Sequence, residues 1–262
     1  YKIDAYADLL STIDTAILTA AAWGGTQETY DINVVKTLRL MDLLDPDRCQ
    51  QVIYFSTESI IDRDNQPLKE AREIGTDYIR TKALCHQQLG RLTIAPKITT
   101  LFPTLVFGGD DQKPKSHLTA GLADVVKWIG LIRWFTADGS FHYVHGRDVG
   151  TVVQHLVDHP PTGDDARELV LGSEPITADQ AIGALCTYFG LYRGIKIPLP
   201  IWLANFFIWA FRIQMAAWDR FCLDYRHFTH RNPVNPSTFG AVPYCATIAD
   251  LLQVSGVPPQ RS

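Results

Sequence analysis

Three short apolar runs limit what this chain can fold into. Ala16-Ile17-Leu18-Thr19, Val52-Ile53-Tyr54-Phe55 and Ile98 to Leu101 read as buried strands, the second of them β-branched and aromatic throughout. Between them lie stretches of helical spacing. Asp31 to Leu44 carries Ile32, Val35, Leu38, Leu40, Met41 and Leu44 before Asp45-Pro46 stops it. A second helix opens near Tyr78 and fades around Gly90. Strand, helix, strand, helix, strand is the pattern of crossover units on a parallel sheet, and it predicts an α/β fold.

Each strand ends in residues of particular chemistry. The first runs into Ala20-Ala21-Ala22-Trp23-Gly24-Gly25, whose small side chains let a cofactor or a tight turn approach the backbone. The second ends in Ser56-Thr57. In the helix that follows, Tyr78 and Lys82 stand four residues apart, which stacks them on one helical face. A hydroxyl, a phenol and an ammonium brought together by a strand end and a helix form a proton-transfer set. A tyrosine and a lysine at this spacing are common on any helix; the ordered strands around them give the pair its meaning.

Beyond Leu101 the spacing predicts a polar loop over Asp110 to Lys115 and a partly helical stretch over Ser116 to Phe135. An extended piece follows at Phe141 to Val144, a helix at Asp148 to Asp158, a strand at Leu169 to Leu171 and a helix at Thr177 to Phe189. In the most apolar stretch, 197–218, only about ten residues, Ile201 to Ala210 with Asn205 among them, precede Arg212, short of the roughly twenty that a bilayer span needs. It is expected to form a buried or pocket-lining helix, with peripheral membrane contact as the alternative. A short helix is expected around Thr247 to Leu252.

Composition excludes several classes. With a net charge of -4 and 20% charged residues, nothing draws the chain toward nucleic acid. Its 5 cysteines are scattered and lack a CxxC pair, as expected for reduced thiols in a cytoplasmic setting, with membrane association through 197–218 as the variant. His142 and His145 would face opposite sides of an extended segment, and His227 and His230 have no carboxylate nearby in sequence, so no metal site is expected.

The ordered pieces DTAILTAAA, VIYFSTES, YIRTK, FPTLVFGG and YVHGRDVG, with Asn33 in the helix between the first two, resemble the extended short-chain dehydrogenase/reductases, the NAD-dependent epimerase/dehydratase family. The resemblance spans about residues 14–150. It implies a doubly wound parallel sheet of Rossmann type with a smaller, mostly helical substrate-binding part. The cofactor domain would be 1–115 continued by 140–172, and the substrate part 116–139 and 173–262.

It also implies roles. Tyr78 would be the acid/base, Lys82 would lower its pKa and hold the cofactor ribose, and Thr57 would bond the substrate oxygen. NAD or NADP would lie against Ala20, Ala21, Ala22, Asn33, Tyr78, Lys82, Pro103 and Val106. The reaction would be oxidation, reduction or epimerisation at a hydroxyl or carbonyl carbon of a small substrate, either a sugar or an apolar, sterol-like or lipid alcohol. The alternatives are a non-catalytic scaffold that keeps the fold and a membrane-peripheral assembly protein.

The family's glycine-rich phosphate turn has no counterpart here, and the chain opens on Tyr1. The expectation is a Rossmann-type domain incomplete at its N-terminal side, with an open parallel edge at the first strand, weak dinucleotide binding and a tendency to associate, a homodimer included.

Overall fold

The parallel sheet is built as the apolar runs require. In the computed structural model, β1 (Thr15–Leu18) pairs in parallel with β2 (Gln51–Phe55), Leu18 lying opposite Tyr54. β2 in turn pairs in parallel with β3 (Ile98–Pro103), Phe55 opposite Leu101. The strand Glu168–Leu171 completes the order on the far side of β3. The description covers residues 2–109, 113–162, 167–210, 212 and 214–259; Asp110, Asp111 and Gln112 of the expected polar loop lie outside it.

The chain divides into two units, Tyr1–Pro103 with Val153–Val170 and His230–Asn232, and Thr104–Val152 with Leu171–Thr229 and Pro233–Ser262. In the first, the central strand β2 is buried along Gln51, Val52, Ile53 and Tyr54. β1 departs from the buried strand expected of it. It is an edge among the described strands, and Ile17 is exposed because one flank and one face lack a neighbour.

The helical layer of this unit has two main members. The first, α1, runs over 26–42 and changes character midway: α-helical at Thr26–Tyr30, a π turn at Asp31–Lys36, α-helical again at Thr37–Asp42. It begins five residues before the Asp31 start read from sequence. The second, α2 (Asp77–Leu89), is capped by the Thr76 hydroxyl, which accepts from the Ile79 amide at 3.3 Å. Val34 and Met41 of α1 meet Val52 and Tyr54 of β2 and Cys85 and Leu89 of α2 in one core cluster. Each such side chain contributes about 1.5–3 kcal/mol by leaving water.

In the second unit Leu105–Phe107 pairs in parallel with Tyr143–His145. The helix His117–Ile132 packs through Ile129 on Leu185, Phe189 and Leu252. Ser140–Phe141 lies between Ile176–Thr177 and His227–Phe228. A capping box of Thr177 and Gln180 starts the helix Ala178–Tyr188. The carboxylate of Asp148 accepts from the backbone amides of Tyr244 at 2.6 Å and Cys245 at 3.1 Å, which fixes the C-terminal segment. All 5 cysteines are free thiols.

The stretch 197–218 differs from the helix expected there. It breaks into a two-residue strand, Ile197–Pro198, a helix Ile201–Ala210, and the start of another at Ala217–Tyr225. Pro198 and Pro200 end the extended piece and admit a helix only after them. The middle helix is not buried. No helix among the described residues is long and apolar enough to cross a membrane.

Candidate active site

The parallel register brings the carboxyl ends of β1 and β2 side by side, so Ala20–Trp23 and Ser56–Thr57 leave the sheet at neighbouring points. Thr57 caps the short turn Glu58–Ile60, its hydroxyl accepting from the Ser59 amide at 3.3 Å. The same hydroxyl stands close enough to the phenol of Tyr78 to favour its ionised form. Lys82, one turn further along α2, is only 2% exposed, and its Nζ donates to the Phe55 carbonyl at 2.7 Å. Nζ also lies 4.9 Å from the Tyr54 ring centre and 5.9 Å from that of Tyr78. Thr57, Tyr78 and Lys82 therefore meet at one place, as their spacing suggested.

Their proton affinities are set mainly by burial. The Tyr78 phenol is pushed up to about 12, Thr57 opposing the shift. Burial pulls the Lys82 ammonium down to about 8. Burial governs the phenol here. The ammonium is directed at the Phe55 carbonyl, and loss of water dominates the phenol. Tyr78 is thus protonated at neutral pH.

Asn33 joins strand end to helix. Fully buried in the π turn, it receives the Ala22 amide at 2.8 Å and returns Nδ2 to the Ala22 carbonyl at 3.0 Å and to the Thr81 hydroxyl at 3.1 Å. The carbonyl of Ile32, freed by the widened turn, accepts from the Thr37 hydroxyl at 2.8 Å. Of the remaining residues singled out in sequence, Ala20 is exposed and Ala21 and Ala22 are half-buried beyond β1, Pro103 ends β3, and Val106 lies in Leu105–Phe107 of the second unit.

Two features of the site escaped the sequence reading. Trp23, 73% exposed, stacks on Tyr78 with ring centres 3.9 Å apart and planes 8° from parallel. Glu58, next to Thr57, is buried against His230, whose Nε2 lies 3.2 Å from Oε2 while Nδ1 donates to the Asp62 carbonyl at 3.0 Å. Burial raises the Glu58 carboxyl and His230 opposes the rise. The position of Glu58 beside Thr57 was a signal; a partner 172 residues away was not.

A flat dinucleotide fits what is present. The alanines after β1 leave the strand end uncrowded. Lys82 has three donors and spends one, on Phe55, which leaves a buried ammonium able to bind hydroxyls. The Ser56 hydroxyl is likewise buried without a protein partner.

Fold and site together define an open α/β protein with a hydroxyl, phenol and ammonium at the carboxyl ends of its parallel strands, where such folds hold ligands. The sequence profile of the NAD dependent epimerase/dehydratase family matches residues 4–172. The chain belongs to that family. No curated protein sequence matches it.

Solved structures share the fold. The structure of gox2253 superposes with a TM-score of 0.64 at 17% identity, covering 97% of this chain and 83% of that one. The dTDP-4-dehydrorhamnose reductase of Bacillus anthracis, in complex with NADP, gives 0.63 at 11% identity over 97% and 84%. The Bordetella bronchiseptica enzyme WbmG, in complex with NAD and UDP, gives 0.59 at 12% over 96% and 78%.

Proposed function

We propose that this protein is an NAD(P)-dependent oxidoreductase or epimerase acting at a hydroxyl or carbonyl carbon of a small molecule. The observation that carries the reading is the buried ammonium of Lys82, held at the end of β2 by the Phe55 carbonyl, 5.9 Å from the ring centre of Tyr78 and at the strand end that leads into Thr57. In carbonyl reduction Tyr78 gives its proton to the substrate oxygen while Thr57 hydrogen-bonds that oxygen. In the reverse direction Tyr78 takes the proton back. The positive charge of Lys82 favours the phenolate that forms after proton release, and its unspent donors hold the ribose hydroxyls. Ala20 to Ala22, which Asn33 fixes, and Pro103 border the dinucleotide, with Val106 assigned to it from the family motif. The bound dinucleotide supplies or accepts the hydride. In this division of labour 1–115 and 140–172 serve the cofactor, and 116–139 and 173–262 the substrate.

Sugar nucleotides are the first substrates to test, because structural neighbours include a dTDP-sugar reductase and a protein bound to UDP. A second reading, a sterol-like or lipid alcohol, rests on a cavity of about 930 Å³ within the second unit, where Pro198, Leu199, Ile201 and Leu223 form one wall and the polar Asp138, Asp179, Arg226 and His227 also line the space. The test follows nicotinamide absorbance with both substrate panels and both dinucleotides. Turnover in the wild type that Tyr78→Phe abolishes supports the reading. Turnover that survives Tyr78→Phe, or a complete absence of dinucleotide binding, refutes it and favours a scaffold.

A further inference from the structure

A helix that is apolar on every side is normally buried in a core or in lipid. Ile201–Ala210 carries no charged residue, yet Trp202 is 70%, Phe206 50% and Trp209 76% exposed. At ten residues it is about 15 Å long, half of a bilayer's hydrocarbon thickness, so it can lie in a membrane interface but not span one.

The surrounding charge specifies the surface that would cover it. From residue 180 to residue 218 the sequence has no acidic residue and three basic ones, Arg193, Lys196 and Arg212; beyond it come Asp219 and Arg220, the latter donating to Asn205 of the helix at 2.7 Å and pairing with Asp224. Asp179 pairs with Arg193 and Lys196, one carboxylate for two cations; Arg212 has no ion pair among the described residues. A second stretch of the same kind adjoins the first. Residues 125–137 lack acidic side chains, contain Lys127 and Arg133, and expose Trp128 and Leu131. The two stretches are tied together where Phe135 pairs with Ile197 and Arg133 donates to the Tyr192 carbonyl at 3.0 Å.

We propose that Ile201–Ala210, with the basic and aromatic residues around it, docks on a lipid surface carrying anionic headgroups. The tryptophans enter the interfacial region and Lys127, Arg133, Lys196 and Arg212 meet the phosphates, while Arg193 stays turned inward on Asp179 and the carbonyls of Arg133 and Phe135. The helix thereby buries apolar surface that the fold leaves in water.

The test uses the whole chain and sucrose-loaded vesicles of phosphatidylcholine, with or without about one quarter phosphatidylserine. The wild type is expected to sediment with the anionic vesicles, less at high salt, and the triple variant Trp202→Ala, Phe206→Ala, Trp209→Ala to partition at least tenfold less. Arg212→Glu should weaken binding to the anionic vesicles only. Because the replaced side chains are exposed, the triple variant should keep the wild-type melt. Should it fail to fold, quenching of wild-type tryptophan fluorescence by brominated lipid gives the answer without a variant. No sedimentation and no quenching overturns the proposal. So does a wild-type dimer that the triple variant converts to a monomer while neither binds vesicles, since a second copy would then be what covers the helix.

Discussion

The ammonium of Lys82 donates to the carbonyl of Phe55 at 2.7 Å, so a charge from the middle of α2 is held against the last residue of β2. Almost no water reaches it, and burial lowers its pKa to about 8. The unfolded chain, with a lysine near 10.4, binds more protons than the folded one between about pH 8 and 10, so stability should rise with pH across that window. At neutral pH the buried charge costs on the order of 3 kcal/mol. Lys82→Met removes it. The variant should be more stable by about 1–3 kcal/mol at pH 7 in urea unfolding, the advantage shrinking toward pH 10, with turnover at least about 100-fold lower. A destabilised variant would show that the ammonium is held favourably instead.

Tyr78→Phe keeps the ring that Trp23 covers and deletes only the hydroxyl. Turnover should fall by about 10²–10⁴ while stability changes by less than about 1 kcal/mol. With Tyr78 protonated and Lys82 charged at neutral pH, wild-type carbonyl reduction should be level near pH 7 and decline above about 8, as Lys82 deprotonates. A pH–rate series with the cofactor saturating checks both statements.

Asn33→Ala would leave the amide and carbonyl of Ala22 without their partner, and the Thr81 hydroxyl without its donor. The expected loss is about 1–3 kcal/mol in thermal or urea unfolding, together with weaker dinucleotide binding by titration, since the strand end that Asn33 fixes is part of the proposed cofactor wall. Wild-type affinity in a folded variant would remove Asn33 from the site.

His230→Ala strands Glu58. With its partner gone, the buried carboxyl holds its proton to higher pH, and the folded state then binds a proton that the unfolded state releases above about pH 4.3. Destabilisation should therefore be small near pH 5 and grow to about 3 kcal/mol toward pH 8. Unfolding at both pH values checks this; an equal loss at each would mean that His230 acts by packing alone.

Much of this was legible in the sequence because the governing signals are local. The apolar runs at 16, 52 and 98 became strands in parallel register, and the four-residue spacing of Tyr78 and Lys82 put both on the helix face toward the end of β2. The open edge expected at the first strand is where β1 lies among the described strands, but the exposure of Ile17 on that strand's face is not a local signal, since its run reads like any buried strand. Nor is a partner 172 residues away, which is why Glu58 and His230 went unpaired on reading. The 197–218 stretch misled for a related reason. Apolar character predicts a wish to leave water, and the tertiary fold decides whether the chain itself provides the means.

The π turn at Asp31–Lys36 makes helix length part of the site's specification. It amounts to one residue more than an α-helix would use over the same rise, and so rotates everything beyond it by roughly 100° relative to everything before. That offset lets Asn33 address the end of β1 while Met41, further along, still points into the core. Removing Val34 or Val35 would leave a regular, more conventional helix, yet Asn33 and Met41 should then no longer both be satisfied. At this point the spacing is as much a functional element as the side chains.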